Sequence, residues 1–131
     1  MKHLILIRHG QSEWNQQKRF TGWVDVGLTD KGRAEAKKAG ELIKEKKIKL
    51  DSFYSSYQKR ANDTLKIVMK ELNEDENLIT KKWQLNERHY GELTGLNKED
   101  MKKKYGEEKI HQFRRSWDVK PGALDRKSPY H

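Results

Sequence analysis

The segment Leu4–Asn15 reads Leu-Ile-Leu-Ile-Arg-His-Gly-Gln-Ser-Glu-Trp-Asn and is the most informative part of the sequence. Its four aliphatic residues follow one another without a polar break. Such a run is typical of a short strand that is buried on both faces, as in a parallel sheet. The run ends at Arg8, His9 and Gly10. Because open α/β sheets bind ligands at the carboxyl ends of their strands, the sequence predicts that His9 lies at a ligand site.

These three residues suit nucleophilic chemistry on a phosphoryl group. Arg8 is permanently cationic and can bind an oxyanion through a planar fork of donors. His9 supplies an imidazole whose unperturbed pKa of about 6.5 leaves a neutral nucleophilic nitrogen available at cell pH. Gly10 allows the backbone to turn sharply and to approach a ligand closely. For this histidine taken alone, a purely structural role at a strand end is the alternative.

Strand-like and helix-like segments alternate along the rest of the chain. Ser12 is a candidate cap for a short turn ending at Gln16, and Thr29 is a candidate N-cap for a longer helix. The remaining predicted elements are a strand over residues 50–55, a helix opening at Ser55 or Ser56, a strand over 78–80, and a helical region over 97–117 that is interrupted at Tyr105-Gly106. This alternation is typical of βαβ units. The predicted fold is therefore α/β, with a mainly parallel sheet flanked by helices.

The composition describes one polar domain of 131 residues, in which 37% of the residues are charged and 33% are hydrophobic. The chain has no cysteine, which excludes disulfides and thiolate metal sites. No apolar run approaches the roughly 18 residues of a membrane span. Met1 leads almost directly into the first predicted strand and leaves no room for a signal peptide, so we expect a cytoplasmic protein.

The formal net charge of +9 fits two classes of partner. One is a nucleic acid or a membrane surface. The other is a small anionic substrate, bound by arginines on a protein with a lysine-rich exterior. The lysines are spread over helix-like segments, often beside acidic residues, and no nucleic-acid-binding motif interleaves them with aromatic residues. A small phosphorylated substrate is therefore favoured, and a basic nucleic-acid binder remains an alternative.

The block from Arg8 to Trp23, which ends Arg-Phe-Thr-Gly-Trp, resembles the histidine phosphatase superfamily. Within that superfamily the chain is most similar to the 2,3-bisphosphoglycerate-dependent phosphoglycerate mutases. A second block, Leu85–Gly91, follows in the same order. The resemblance runs from Lys2 to about Tyr130 but covers only a little over half of the family's length. It implies that residues 1–131 form the N-terminal part of a single phosphoglycerate mutase-like catalytic domain, with a fold that is incomplete at the C-terminus.

The resemblance also implies roles for individual residues. His9 matches the nucleophile that carries the phosphoryl group as phosphohistidine. Arg8 and Arg60 match the arginines that hold that group, and Glu87 matches the proposed general acid/base. The residues that match substrate contacts are Asn15, Thr21, Gly22, Tyr90, Lys98, Arg114 and Arg115. Arg88 lies in the same block as Glu87, and no role is assigned to it here.

The implied activity is that of an isomerase of glycolysis and gluconeogenesis, which interconverts 3-phosphoglycerate and 2-phosphoglycerate. 2,3-Bisphosphoglycerate would prime such an enzyme, and no metal would be needed because guanidinium groups neutralise the transferring oxygens. The full-length form would be a homodimer. The family's second catalytic histidine, in a His-Gly-Asn-Ser-Leu-Arg-like segment, has no counterpart here. Two alternatives therefore remain, namely a phosphatase of the same superfamily and a catalytically inactive anion-binding remnant.

Overall fold

The aliphatic segment Leu4–Ile7 forms no strand in the computed structural model, which describes residues 1–131. Leu4 and Leu6 are each 84% exposed, and Ile7 is 40% exposed. The prediction of a first strand buried on both faces is therefore wrong for this chain. The physical reason is that a strand exists through backbone hydrogen bonds to a neighbouring strand, and no other segment of the chain pairs with this one.

The sheet consists of two parallel strands, β1 (Phe53–Ser55) and β2 (Ile79–Lys81). Phe53 lies opposite Ile79, and Ser55 lies opposite Lys81. Residues of β1 are alternately buried, exposed and buried, which turns Phe53 towards the interior. The parallel pairing confirms the predicted sheet type. The strand predicted over residues 50–55 is shorter than expected, because only its last three residues have a partner strand.

Two long helices, α2 (Asp30–Glu45) and α3 (Lys59–Glu71), pack against each other. The helix α2 begins at its predicted cap, where the Thr29 hydroxyl accepts a hydrogen bond from the Gly32 amide at 3.1 Å. The helix α3 begins later than predicted, after Gln58 rather than at Ser55 or Ser56. A short helix and two further helices complete the set: α1 (Glu13–Gln16), α4 (Lys98–Tyr105) and α5 (Glu107–Arg115).

The helical region predicted over residues 97–117 is confirmed as two helices separated at Gly106. Gly106 has a φ of +85°, a conformation that other residues rarely adopt, and this explains the break between α4 and α5. Single 3₁₀ turns lie at Glu76–Leu78, Trp83–Leu85 and Gly91–Leu93. None of the helices combines the length and the apolar character needed to cross a bilayer.

The chain divides into two compact units. The first unit comprises Met1–Glu13 and Asp25–Asn86, and it contains α2, α3 and the sheet. The second unit comprises Trp14–Val24 and Glu87–His131, and it contains α4 and α5. The buried core of the second unit consists of Phe20, Tyr90, Leu93, Ile110 and Phe113.

Gly10 and Gly32 form a close backbone contact within the first unit. A Cβ atom on Gly10 would lie 2.1 Å from the Gly32 carbonyl oxygen. A Cβ atom on Gly32 would lie 2.1 Å from the Gln11 carbonyl oxygen. Both obstacles are backbone atoms, which cannot rotate away. The first turn of α2 can therefore approach the residues after His9 only because both positions lack a side chain.

We expect the substitution Gly10→Ala to destabilise the first unit by about 1–3 kcal/mol, the usual cost of overpacking a close contact. Urea unfolding of the chain measures this loss as a lower midpoint. Gly27→Ala is the matched control, because its Cβ would meet only the Glu13 carboxylate, at 3.6 Å. Equal midpoints for the two variants would contradict the proposed contact.

Candidate active site

His9 lies in the loop between the aliphatic segment and α1, not at the end of a paired strand. Its Nδ1 atom is 2.7 Å from the carbonyl oxygen of Gly10, so the neutral ring donates a hydrogen bond from Nδ1. In that tautomer the lone pair is on Nε2. The ring is half-buried, which leaves part of it accessible. A neutral ring bonded in this way can act as a nucleophile only through Nε2.

A chain of hydrogen bonds ties the His9 loop to α3. The Gly10 amide donates to the Thr64 hydroxyl at 3.1 Å, and this hydroxyl donates to the Arg60 carbonyl at 2.8 Å. Thr64 lies one turn after Arg60 and is 3% exposed. The same two helical turns thus hold the backbone beside His9 and present Arg60. Within the first unit, hydrogen bonds therefore link the backbone next to His9 to the first turns of α3.

Arg60 is fully buried, with 0% exposure. A guanidinium group is rarely removed from water without an anion or several acceptors around it, because desolvating the charge is costly. Arg60 also follows the N-terminus of α3, where the helix dipole favours negative charge. Burial and position together suit this side chain to an anionic ligand. Without the resemblance, an arginine near a helix start is more often a cation on the protein surface.

The start of α3 is capped from outside the helix. Gln58 makes no side-chain cap, but the Asp25 carboxylate accepts a hydrogen bond from the Lys59 amide at 2.6 Å. Inside the helix, the Asn62 side chain donates to the Ser56 and Gln58 carbonyls, each at 2.9 Å. These bonds fix the first turn of α3 and with it the backbone of Arg60.

An open pocket of about 210 Å³ adjoins His9 in the first unit. It is lined by Ile7, Arg8, His9, Gly10, Glu35, Ala36, Ala39 and Thr64. Arg8, one of the lining residues, is exposed and carries a positive charge. The pocket has room for a phosphoryl group beside the imidazole. No cluster of three or more His, Asp or Glu side chains is arranged to hold a metal ion.

In the second unit, Gly22 and Trp23 contact the irregular segment that contains Glu87. The Trp23 indole donates to the Glu87 carbonyl at 2.7 Å. Gly22 has a φ of +59°, and a Cβ there would lie 3.2 Å from the Tyr90 amide and 3.3 Å from the Arg88 carbonyl. The adjacent Thr21 is buried, with 4% exposure. The Thr21-Gly22 loop and the residues from Glu87 to Tyr90 therefore contact each other.

Tyr90 is a buried residue of the second unit whose hydroxyl is influenced by four charged side chains. It is 7% exposed and packs against Phe20, with ring centroids 5.0 Å apart. Burial raises the pKa of the Tyr90 hydroxyl above 10.0, the Glu87 carboxylate raises it further, and three guanidinium groups oppose the rise. Those groups belong to Arg114, Arg88 and Arg115. The hydroxyl is thus protonated at neutral pH and available as a hydrogen-bond donor, within electrostatic reach of Glu87 and the arginines.

Lys98 and Asn15 also belong to the second unit. Lys98 is the first residue of α4, and its ammonium lies 5.9 Å from the centroid of the Phe20 ring, within cation–π range. Asn15 lies in α1 and is half-buried. The second unit therefore holds the predicted substrate contacts Asn15, Thr21, Gly22, Tyr90, Lys98, Arg114 and Arg115, together with Glu87, and the first unit holds Arg8, His9 and Arg60.

Residues 4–129 match the sequence family described as the histidine phosphatase superfamily, branch 1. The chain belongs to the histidine phosphatase superfamily. A relative from Pelagibacter ubique, named 2,3-bisphosphoglycerate-dependent phosphoglycerate mutase, is 66% identical over 131 residues, which are 100% of this chain and 55% of the relative. A relative of the same name from Bacteroides fragilis is 51% identical over 129 residues, or 98% of this chain and 52% of the relative. This chain thus spans about half the length of the curated relatives that it matches.

The fold is also that of the histidine phosphatase superfamily. The structure of mycobacterial glucosyl-3-phosphoglycerate phosphatase in complex with VO3 matches with a TM-score of 0.65 and 26% sequence identity. The match covers 74% of this chain and 44% of that protein. The predicted fold class, with helices and a small parallel sheet as in phosphoglycerate mutase-like histidine phosphatases, is therefore confirmed.

Three residues that hydrogen-bond to the backbone next to candidate residues were not predicted from the sequence. They are Thr64, Asp25 and Trp23, which respectively bind the Gly10 amide, the Lys59 amide and the Glu87 carbonyl. Thr64 carried a detectable signal, since it lies one helical turn after Arg60. Asp25 and Trp23 carried none, because their partners lie 34 and 64 residues away in the chain.

Proposed function

We propose that this chain provides the phosphohistidine and the substrate-binding residues of a phosphoglycerate mutase, which interconverts 3-phosphoglycerate and 2-phosphoglycerate. The observation that carries the proposal is the 66% identity over all 131 residues with a relative named as such a mutase. The catalytic residues expected from the resemblance, Arg8, His9, Arg60 and Glu87, are all present. Their individual roles are part of the proposal.

His9 acts as the nucleophile and carrier. The Nε2 lone pair attacks phosphorus, the bond from phosphorus to the substrate oxygen breaks, and the phosphoryl group remains on the ring as phosphohistidine. In the reverse half, a substrate hydroxyl oxygen attacks the same phosphorus and the phosphorus–nitrogen bond breaks. Hydrogen bonding of Nδ1 to the Gly10 carbonyl supports this role, because it keeps the reactive lone pair on Nε2. Arg8 and Arg60 neutralise the charge on the transferring oxygens.

Glu87 moves the proton. It accepts the proton of the attacking hydroxyl as the phosphoryl group leaves His9, and it returns that proton to the leaving oxygen when His9 is phosphorylated again. The hydrogen bond from Trp23 to the Glu87 carbonyl supports this role, since a general acid/base must be held within hydrogen-bond reach of its substrate. Tyr90, Lys98, Arg114 and Arg115 bind the carboxylate and the second phosphate.

The donor set suits 2,3-bisphosphoglycerate, which supplies the phosphoryl group that primes His9. That molecule carries two phosphates and a carboxylate, and the candidate residues include arginines, a lysine and a protonated tyrosine hydroxyl. The proposed enzyme is cytoplasmic and acts in glycolysis and gluconeogenesis. It is also proposed to need no metal. The homodimer implied by the resemblance stays a prediction.

We expect mutase turnover from a chimera in which residues 1–131 replace the matching residues of the Pelagibacter ubique relative, hereafter the chimera. A coupled enolase assay with 3-phosphoglycerate measures 2-phosphoglycerate formation, with and without 2,3-bisphosphoglycerate. Turnover by the chimera should depend on 2,3-bisphosphoglycerate. The intact relative, assayed under the same conditions, is the positive control. A folded chimera without turnover, beside an active relative, would refute the proposed function.

A phosphatase of the same superfamily is the second candidate. The match at 26% identity to the glucosyl-3-phosphoglycerate phosphatase favours it. In a phosphatase, the phosphoryl group on His9 would be transferred to water instead of to a substrate hydroxyl. Release of inorganic phosphate from 3-phosphoglycerate, faster than formation of 2-phosphoglycerate, would select this candidate. If phosphate binds but neither reaction occurs, the anion-binding alternative is selected.

A further inference from the structure

We infer that Arg88 is a positioning residue, which closes the carboxyl end of α5 and thereby holds the pair Arg114 and Arg115 beside the Glu87 block. The inference rests on the proposed function for its kinetic consequence, although its structural part is independent. Within the second unit it assigns Arg88 a task different from that of its neighbours, which bind substrate or move a proton.

The contacts of Arg88 are with main-chain atoms. Its Nη1 atom donates to the Phe113 carbonyl at 3.1 Å and to the Ser116 carbonyl at 2.8 Å. Phe113 lies in the last turn of α5, and Ser116 is the residue directly after the helix. One guanidinium nitrogen thus spans the end of the helix and the first residue of the following loop.

The carboxyl end of α5 needs such a partner. Carbonyl groups in the last turn of a helix have no amide partner within the helix. Here the only backbone closure is the bond from the Ser116 amide to the Gln112 carbonyl, at 2.8 Å. Ser116 is in an extended conformation with φ −67° and ψ 149°, so α5 does not end in a left-handed glycine cap. The cationic Arg88 supplies the missing donor, and its charge also complements the negative end of the helix dipole.

The arginine pair depends on this end of the helix. Arg114 and Arg115 are the last two residues of α5, so fraying of its final turn would displace both side chains. In the folded second unit, both guanidinium groups and that of Arg88 act on the Tyr90 hydroxyl together with Glu87. Like charges in one region favour separation, and hydrogen bonds from Arg88 to the backbone of α5 oppose that separation. Arg88 therefore joins the acid/base block to the helix that carries the anion-binding pair.

Hydrogen exchange on the 131-residue chain tests the structural part without any need for activity. Arg88→Met should speed exchange of the Arg115 and Ser116 amides by about tenfold, because a hydrogen bond to a charged group is lost. Arg88→Lys should be intermediate, since a lysine keeps the charge at the helix end but not the planar fork. Arg126→Met is the control, because Arg126 is exposed. Unchanged exchange at α5 in Arg88→Met would overturn the inference.

A double-mutant cycle in the chimera tests the kinetic part. Arg88→Met alone should lower kcat/KM by roughly 10–100-fold, mainly through a higher KM, as expected for losing a charged hydrogen bond. In a background that already carries Arg114→Met and Arg115→Met, the same change should cost less than about threefold, because Arg88 acts through the pair. Equal losses in both backgrounds would assign Arg88 an independent contact with substrate and overturn the positioning role.

The two tests separate the inference from the proposed function. An inactive but folded chimera would refute the mutase proposal, whereas hydrogen exchange would still decide whether Arg88 closes α5. An active chimera with an additive cycle would refute the inference and leave the mutase proposal intact.

Discussion

Replacing His9 with alanine is expected to abolish phosphoryl transfer by the chimera. The imidazole is the only proposed carrier of the phosphoryl group, and removing a nucleophile from a catalytic set typically costs on the order of 10⁴–10⁶-fold in rate. Incubation with labelled 2,3-bisphosphoglycerate should yield an acid-labile, base-stable adduct with the parent chimera. The His9→Ala variant should yield none.

The matched control for His9→Ala is His111→Ala. His111 is exposed on α5, and alanine is a good helix former, so this change should leave both labelling and turnover intact. Circular dichroism of both variants checks that the fold is retained. Persistence of the acid-labile label in His9→Ala would move the nucleophile to another residue.

The substitution Glu87→Gln is expected to slow mutase turnover by roughly 10²–10⁴-fold, the usual contribution of a general acid/base. Glutamine keeps the size of the side chain and one acceptor oxygen but cannot accept and return the proton. The backbone of this residue is held through its carbonyl by Trp23, so the local structure should survive the change. The equilibrium binding of 3-phosphoglycerate should therefore change little while kcat falls.

Glu108→Gln is the control for the loss of one negative charge, because Glu108 is an exposed residue in the first turn of α5. Its turnover should equal that of the parent chimera. If Glu87→Gln also turned over at the parent rate, Glu87 would have no part in proton transfer. If it lost substrate binding instead, the carboxylate would have a structural role.

Local sequence signals determined several helices and the type of sheet. The Thr29 cap predicted the start of α2 because the hydroxyl and the Gly32 amide are only three residues apart. The break between α4 and α5 was predictable because Gly106 alone provides the positive φ that separates them. In each case the partners that fix the element are neighbours in the chain, so the pattern of residue types is sufficient.

The aliphatic segment Leu4–Ile7 shows where such reasoning fails. Its aliphatic composition gives this segment a high propensity for strand formation, but propensity does not supply a partner strand. In this chain β1 pairs only with β2, and the leucines at positions 4 and 6 remain exposed. Strand formation depends on long-range hydrogen bonding, which a run of hydrophobic residues cannot specify.

The candidate site divides in the same way. The sequence by itself determined the family, through the Arg8–Trp23 and Leu85–Gly91 blocks, and with it the residue types that the proposed chemistry needs. Only the tertiary structure decided that Arg60 is completely buried, that Thr64 binds the Gly10 amide, and that Arg88 donates to the end of α5. Burial and hydrogen bonding of a side chain depend on groups that are 25 to 54 residues distant in the chain. A motif records which residues are present, whereas packing decides which atoms they meet.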